Sequence, residues 1–244
     1  RNWTRWPFCK KQTLEESGFF RGFTDWHCHI LPGVDDGVQT MEEALQILAE
    51  YERLGVKEVW LTPHIMEDIP NTTQHLRERF AELQAAYQGN VALNLASENM
   101  LDNLFEERLE KNDLLPIGKD GKLLLVETSY FNPPMDLQNI LQRIKAKGFF
   151  PILAHPERYL YMDDEHYQWL KSINVKFQLN LFSLLGMYGK DVQVRAKVLQ
   201  KKKMYNYVGS DLHKLEMLKR ITKLQNQWGQ VVKLKSLVLG NGGL

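Results

Sequence analysis

The sequence predicts an α/β protein in which parallel β-strands alternate with α-helices. Seven short apolar runs have the features of strands, and helical patterns lie between them. Most of the runs are continuous rather than alternating in hydrophobicity, which is typical of strands covered on both faces. Alternation of strand and helix implies parallel strands joined by right-handed crossovers. A chain of 244 residues with 43% hydrophobic content can bury the core of one such domain and is short for two.

The predicted elements follow one another as seven strand–helix units. The strands are Gly22–Trp26, Glu58–Thr62, Val91–Ala96, Leu123–Glu127, Phe149–Ala154, Lys176–Asn180 and Tyr205–Gly209. The helices, with apolar residues near the 3.6-residue period, are Met41–Leu54, Thr73–Tyr87, Leu104–Lys111, Leu137–Lys147, Glu165–Ser172, Val192–Lys202 and Leu215–Trp228. Such units form either an open doubly wound sheet or a closed barrel. No Walker-type loop and no GxGxxG motif follows the first strand, which weakens a nucleotide-binding open sheet.

We predict an N-terminal extension over residues 1–21, followed by a single domain over residues 22–244. The extension mixes aromatic with charged residues and lacks the continuous apolar segment of a signal peptide. No apolar stretch approaches the roughly 20 residues that span a bilayer. Two cysteines in a chain of this length indicate a reducing compartment rather than a disulfide framework. We therefore expect a cytoplasmic protein without membrane insertion, and its oligomeric state stays open.

The charge balance argues against nucleic acid as a partner. The formal net charge is +1, whereas a nucleic-acid-binding surface needs a marked basic excess. The basic run at residues 201–203 is better explained as a solvated helix end than as a polyanion site.

Side chains that bind metals follow six of the seven predicted strands. In chain order they are His27 and His29, with Asp35 and Asp36 in the loop beyond, then His64, Glu98, Glu127, His155, and finally Asp211 with His213. In a closed barrel all these strand ends gather on one face, where barrel enzymes build their active sites. A single His-x-His pair would be weak evidence, but residue types that bind metals recur at six strand ends, and this recurrence predicts a metal site.

The local spacings fit metal binding. In an extended segment residues i and i+2 point the same way, so His27 and His29 can bind one ion while Cys28 faces elsewhere. Glu98 and Glu127 are suited to bridging two cations, because a carboxylate has two oxygens and carries charge. Imidazole and carboxylate ligands without thiolate favour Mn²⁺, Fe or Zn²⁺ over structural zinc or copper(I). The donors outnumber what one ion needs, so we expect two or three divalent metal ions, manganese foremost.

Arg158 is a candidate for binding phosphate. It lies three residues after His155 in a short loop, with no helical face to explain it. A guanidinium offers a planar fork of donors that matches phosphate oxygens. An ordinary salt bridge with Glu157 or another acid is the alternative. His75 and His166 lie within helical patterns and are not expected to bind metal.

A set of short motifs runs from about Phe23 to Gln227. They read D-W-H-C-H at 25–29, V-D-D-G at 34–37, T-P-H at 62–64, single glutamates at 98 and 127, H-P-E-R-Y at 155–159 and G-S-D-L-H at 209–213. Together they resemble the PHP (polymerase and histidinol phosphatase) superfamily. More narrowly, they are similar to the bacterial capsule-biosynthesis tyrosine phosphatases within it. The combination is specific, although the separate pieces are not.

The resemblance implies a distorted (β/α)7 TIM-like barrel with a trinuclear centre, often loaded with manganese. The implied metal ligands are His27, His29, Asp36, His64, Glu98, Glu127, His155, Asp211 and His213. Of the two adjacent aspartates, Asp36 fits the family position better than Asp35. The resemblance also implies that Arg158 holds the phosphate.

The implied activity is hydrolysis of phosphotyrosine by a metal-activated hydroxide, because bridging metals lower the pKa of a bound water. Arg158 and the metals would orient the phosphate for in-line attack. The leaving tyrosyl oxygen would be protonated by His64 or by Asp211, between which the sequence does not choose. The implied partner is a bacterial tyrosine kinase of the polysaccharide-export machinery, which carries the phosphotyrosine.

Two other interpretations stay open. The same scaffold could act on histidinol phosphate or another phosphate ester, with loops such as Met66–Thr73 and Phe131–Asp136 setting the choice. A non-catalytic scaffold stabilised by metal is the second. The loss of Arg158 or of two ligands would have favoured it, and none of them is missing.

Overall fold

The computed structural model describes residues 11–226. Its strands are β1 (Gln12–Thr13), β2 (Thr24–Cys28), β3 (Glu58–Leu61), β4 (His64–Ile65), β5 (Ala92–Leu95), β6 (Glu98–Met100), β7 (Leu123–Glu127), β8 (Phe150–Ala154), β9 (Lys176–Asn180), β10 (Tyr207–Gly209) and β11 (Gln225–Asn226). Its helices are α1 (Met41–Leu54), α2 (Thr73–Ala86), α3 (Asn103–Glu110), α4 (Leu137–Ala146), α5 (Asp164–Ser172), α6 (Leu181–Leu184), α7 (Lys190–Lys201) and α8 (Leu215–Thr222), and a 3₁₀ turn spans Pro156–Arg158.

The parallel strands form a distorted seven-stranded barrel. They pair in two sheets, ordered β10-β9-β8-β7-β6-β4 and β2-β3-β5. β3 and β4 follow one path through the barrel, interrupted at Pro63, which has no N–H to donate. β5 and β6 likewise follow one path, so the two sheets are continuous with each other. Backbone hydrogen bonds span both interruptions, from Ala96 to Leu61 at 2.9 Å and from Glu98 to Pro63 at 3.0 Å.

The barrel closes between β2 and the segment that follows β10. Cys28 and Leu212 form a parallel bridge. The N–H of Asp211 donates to the carbonyl of His27 at 2.7 Å, and that of His29 donates to Leu212 at 2.8 Å. All seven predicted strands are present, and the predicted distorted (β/α)7 barrel is confirmed.

The hydrophobic core has two parts. The larger part packs helices against the strands, with fully buried residues such as Leu48 of α1 and Ile144 of α4. The smaller part includes Trp60, Leu123 and Leu125. Leu123 and Leu125 share one face of β7 with Glu127, because alternate residues of a strand point the same way. This apolar layer therefore lies directly beneath the carboxyl end of the strand, where the predicted metal ligands are.

Residues 11–21 pack beside the end of the last helix. β1 pairs antiparallel with β11, placing Gln12 opposite Asn226. The predicted helix Leu215–Trp228 ends early, at Thr222, because the chain turns there to enter β11. Residues 1–10 of the predicted extension, and the predicted helix end at Trp228, lie outside the described residues. Among residues 11–226, no helix is long and apolar enough to cross a membrane.

A buried carboxylate ties the closing strands of the barrel together. Asp25 on β2 is fully buried, and burial raises the pKa of its carboxyl group. It accepts hydrogen bonds from the Tyr51 hydroxyl at 2.7 Å and from the Ser210 hydroxyl and N–H at 2.6 and 2.8 Å. One side chain thus joins β2, α1 and the end of β10. Without these donors, a buried carboxylate would be strongly destabilising.

Replacing Tyr51 with phenylalanine is expected to lower the free energy of unfolding by about 1 to 3 kcal/mol, because it leaves a buried acceptor with one donor fewer. Chemical denaturation measures the change. Tyr161→Phe is the matched comparison, because the Tyr161 hydroxyl pairs with the Thr128 hydroxyl at 2.8 Å and the residue is partly exposed. Equal losses in the two variants would contradict a special role for the Asp25 network.

Candidate metal centre

The barrel brings the predicted ligands together at the carboxyl ends of its strands. Three overlapping groups each have ligand atoms within 4.8 Å of one another: His29, Asp36, His64 and His213; His27, His29, Glu98 and Asp211; and His64, Glu98 and Glu127. His155 adjoins them, with its Nε2 3.0 Å from Glu98 Oε1. His29, His64 and Glu98 each belong to two groups, so the groups form one continuous cluster.

Glu98 lies at the middle of this cluster and is fully buried. Its Oε2 is 3.1 Å from His27 Nε2, 3.2 Å from His29 Nε2 and 3.2 Å from His64 Nδ1. Burial alone would raise the pKa of its carboxyl group. The surrounding imidazoles, His27 and His64 foremost, outweigh burial and hold that pKa well below its usual range.

Outer hydrogen bonds orient the imidazoles of the cluster. His27 Nδ1 lies 2.7 Å from Gln178 Oε1, an acceptor, so Nδ1 carries the proton and Nε2 faces the cluster. His29 Nδ1 is 2.8 Å from Asp35 Oδ2. His213 Nδ1 is 2.8 Å from the carbonyl of Asp211. Metal-binding histidines are held in this way by a carboxylate or carbonyl behind the ring.

Several buried polar atoms of the cluster have no hydrogen-bond partner among residues 11–226. They are His64 Nδ1, Glu127 Oε1 and His155 Nδ1. His64 Nδ1 is 2.9 Å from Glu127 Oε1, yet the two are not aligned for a hydrogen bond. Buried polar atoms are nearly always paired. His64 Nδ1 and Glu127 Oε1, both unpaired, fit a divalent cation bound between them, and the described donor set contains no thiolate.

The two adjacent aspartates have different positions. The side chain of Asp35 is buried and accepts from His29 and from the N–H groups of His64 and Gly37. Asp36 is 65% exposed, and its Oδ1 is 3.6 Å from His64 Nε2 and 3.5 Å from His213 Nε2. This placement supports the prediction of Asp36 as the ligand and gives Asp35 an orienting role.

Arg158 lies at the edge of the cluster, in the 3₁₀ turn after β8. Its Nη1 donates to Asp211 Oδ2 at 3.2 Å, so its acid partner is Asp211 and not Glu157. Glu157 is turned away and accepts from the Asn180 N–H and the Tyr205 hydroxyl. Asp211 Oδ1 meanwhile lies 3.3 Å from His27 Nε2. The carboxylate of Asp211 therefore joins Arg158 to the imidazoles.

Two functional residues on β9 were missed in the sequence, because that strand ends without a charged or imidazole side chain. Gln178 orients His27, and Asn180 Nδ2 donates to Asp211 Oδ2 at 2.8 Å. The available signal was an amide pair at positions i and i+2 of an otherwise apolar run. His75 and His166, which were not expected to bind metal, belong to none of the candidate groups in the described part of the chain.

The cluster holds a dense set of opposite charges. Burial lowers the pKa of His27, but the carboxylates of Glu98 and Asp211 outweigh it and raise that pKa to about 9. The pKa of Asp36 falls to about 2, chiefly because of its hydrogen bond with His213. In the metal-free protein, cationic imidazoles therefore balance the carboxylates near neutral pH.

The fold and the site define a parallel α/β barrel with a cluster of metal-type ligands at the carboxyl ends of its strands. The chain belongs to the family described as capsular polysaccharide synthesis, CpsB/CapC, which it matches over residues 23–235. The family resemblance seen in the motifs is thereby confirmed.

Individual relatives carry the names of phosphatases. The chain is 26% identical over 198 residues to the tyrosine-protein phosphatase YwqE of Bacillus subtilis, covering 79% of this chain and 78% of that protein. It is 28% identical over 205 residues to the tyrosine-protein phosphatase CpsB of Streptococcus pneumoniae, covering 79% and 83%. It is 25% identical over 197 residues to the putative tyrosine-protein phosphatase CapC of Staphylococcus aureus, covering 78% and 77%.

Solved structures share the fold. One comes from work on YwqE of Bacillus subtilis and CpsB of Streptococcus pneumoniae, described as unique metal-dependent tyrosine phosphatases. It matches with a TM-score of 0.73 and 22% identity, covering 91% of this chain and 96% of that one. A histidinol phosphate phosphatase of Lactococcus lactis, complexed with zinc, L-histidinol and phosphate, matches with a TM-score of 0.51 and 14% identity, covering 91% and 95%.

Metal uptake by the metal-free protein is expected to release protons. A ligand nitrogen must be unprotonated, whereas the pKa of His27 is raised to about 9. The apparent affinity for Mn²⁺ should therefore rise with pH below that value, by about tenfold per pH unit for each proton displaced. Titration with Mn²⁺ in a weakly buffered indicator solution counts the protons. His75→Ala should release the same number, and pH-independent affinity would contradict the prediction.

Gln178→Leu is expected to weaken Mn²⁺ binding by roughly 10- to 100-fold, because the His27 ring loses the acceptor behind it. Equilibrium competition with a chromophoric chelator measures the affinity. Gln74→Leu, at an exposed position of α2, is the matched comparison and should bind Mn²⁺ like the unaltered protein. Unchanged affinity in Gln178→Leu would remove Gln178 from the orienting set.

Proposed function

We propose that this chain is a metal-dependent protein-tyrosine phosphatase that hydrolyses phosphotyrosine on a tyrosine kinase controlling capsule or exopolysaccharide synthesis. The observation that carries the proposal is the position of Arg158 beside the ligand cluster. Arg158 contacts one oxygen of Asp211, and the other oxygen of Asp211 faces the imidazoles of His27 and His29. Arg158, the proposed phosphate-binding residue, is thus connected to the candidate metal centre through the carboxylate of Asp211.

The comparisons support the activity and its biological setting. Relatives matched over about four-fifths of this chain are named tyrosine-protein phosphatases. The family description refers to capsular polysaccharide synthesis, which supports a tyrosine kinase of that pathway as the partner. The activity predicted from the motifs agrees with these names.

The proposed metal ligands are those predicted from the sequence. His27, His29, Asp36, His64, Glu98, Glu127, His155, Asp211 and His213 would hold two or three divalent ions, with manganese as the first choice and iron or zinc as alternatives. Such ions, when bound, lower the pKa of a water molecule and neutralise phosphate charge. The overlap of the candidate groups at Glu98 supports a shared, multinuclear centre rather than separate sites.

The protein's own side chains would position the ester. Arg158 offers N–H donors to the phosphate oxygens while Asp211 anchors one end of its guanidinium. Asn180 donates to the same carboxylate and keeps it in place. The leaving tyrosyl oxygen, whose conjugate acid has a pKa of about 10, leaves more readily than an alkoxide. We keep His64 and Asp211 as the two candidates for its proton donor.

Hydrolysis of a smaller phosphate ester is the second candidate function. It is favoured by the fold shared with the histidinol phosphate phosphatase. The ligand cluster would serve both reactions, so the choice between phosphotyrosine and a smaller ester depends on residues at the rim of the site. A non-catalytic scaffold is disfavoured because Arg158 and the clustered ligands are all present.

Manganese-loaded protein is expected to hydrolyse a phosphotyrosine peptide in preference to histidinol phosphate and to a phosphodiester. Chelation should abolish the activity. Arg158→Ala should lower kcat/KM by roughly 10²- to 10³-fold, because one group that binds the transition state is lost. Phosphate release measures each rate, and Arg220→Ala, at an exposed position of α8, should leave the rate unchanged.

The outcomes separate the candidates. A preference for histidinol phosphate would keep the metal-dependent chemistry and replace the substrate. Activity that resists chelation would overturn the metal-dependent scheme. No turnover of any ester by metal-loaded protein would leave the scaffold interpretation.

A further inference from the structure

We propose that Tyr130 and Tyr188 form an aromatic clamp that positions the guanidinium of Arg158 for phosphate, a role that rests on the proposed function. Arg158 Cζ lies 4.4 Å from the centroid of the Tyr130 ring and 4.1 Å from that of the Tyr188 ring. Both distances are well within the range of cation–π contacts. The two rings come from separate parts of the chain, after β7 and after α6.

The guanidinium needs such support. The Arg158 side chain is 21% exposed, and Asp211 is the only described residue that accepts a hydrogen bond from its guanidinium. A long arginine side chain loses rotamer entropy when it is held in one position. One hydrogen bond at 3.2 Å fixes a single nitrogen and leaves the rest of the group free to swing.

Aromatic rings suit this task better than a second carboxylate. Tyrosine hydroxyls are neutral near pH 7, because their ordinary pKa is about 10. The rings therefore hold the guanidinium without cancelling its charge. They also leave its remaining N–H groups without an acceptor among the described residues, so these groups stay available to phosphate oxygens.

Both rings are themselves held in place. Tyr130 stacks on the buried ring of Tyr159, with centroids 5.7 Å apart and planes at 24°. Tyr159 in turn accepts a hydrogen bond from the N–H of Thr128 at 3.2 Å. Tyr188 is partly buried and packs against the hydrophobic core, while Asn180 donates to the Asp211 carboxylate that anchors Arg158. The clamp and the carboxylate that anchors Arg158 thus belong to one connected arrangement.

Chemical rescue of the Arg158→Ala variant tests the clamp. Removing the side chain leaves a slot between two rings that fits a free guanidinium ion. Millimolar guanidinium chloride should restore activity on a phosphotyrosine peptide in Arg158→Ala and leave the unaltered protein unaffected. Ammonium chloride at equal ionic strength should not restore it, because the ion is not planar.

Ring variants make the test specific. Adding Tyr188→Leu or Tyr130→Leu to Arg158→Ala should lower the rescue efficiency by about tenfold, the loss expected for one cation–π contact. Adding Tyr188→Phe should preserve rescue, because the ring face remains. Adding Tyr87→Leu should also preserve rescue, because the Tyr87 hydroxyl contacts Glu52 and the N–H of Val91 and not Arg158. Thermal melting and metal content should show that each variant is folded and loaded.

A binding measurement separates this proposal from the proposed function. Calorimetry of inorganic phosphate with manganese-loaded Arg158→Ala should show tighter binding when guanidinium is present, and the Leu variants should lose that gain. Equal gain in the Leu variants, or none in Arg158→Ala, would overturn the clamp while leaving phosphatase activity intact. Absence of turnover with a normal guanidinium effect would instead reject the proposed function and keep the clamp.

Discussion

The attraction between buried carboxylates and imidazoles at one end of the barrel is the interaction on which the rest of the site depends. Glu98 contacts imidazoles that come from three different strand ends, at distances of 3.0 to 3.2 Å. Such closeness is attainable only if the barrel closes and brings those ends together. Closure in turn relies on Asp25, which joins the first and last strands through buried hydrogen bonds. β2 and the end of β10 therefore take part in both the fold and the site: they carry Asp25 and Ser210, which close the barrel, and they also carry His27 and Asp211 of the ligand cluster.

Much of this arrangement could be predicted from the sequence, because charged and imidazole side chains at strand ends are conspicuous against apolar runs. What escaped prediction has a different physical character. Gln178 and Asn180 are neutral amides, whose roles depend on which partner they face rather than on their type. The β1–β11 pair joins segments far apart in the chain, and no local sequence pattern predicts such a pairing. Contacts of Arg158 with Tyr130 and Tyr188 likewise arise from the path of the loops.

In the loop at residues 33–39, the adjacent residues Asp35 and Asp36 have different roles. Asp35 lies behind His29, whereas Asp36 points into the mouth of the site. The backbone turns tightly in this part of the loop. At Gly37, a Cβ would lie 2.1 Å from the carbonyl oxygen of His29, so only glycine allows the chain to pass so close. The positions of Asp35 and Asp36 are thus partly determined by Gly37, which carries no side chain.

The shared carboxylate of Asp211 has a thermodynamic consequence. One of its oxygens faces the imidazoles and the other faces Arg158, so a change in occupancy on one side alters the partner on the other. Linkage requires such an effect to be reciprocal: whatever factor an anion at Arg158 contributes to cation affinity, the cation contributes to anion affinity. Cation titrations with and without inorganic phosphate would give that factor. An anion that drew Arg158 away from Asp211 would leave that carboxylate free for the cation, and the two ligands would then bind more tightly together than apart.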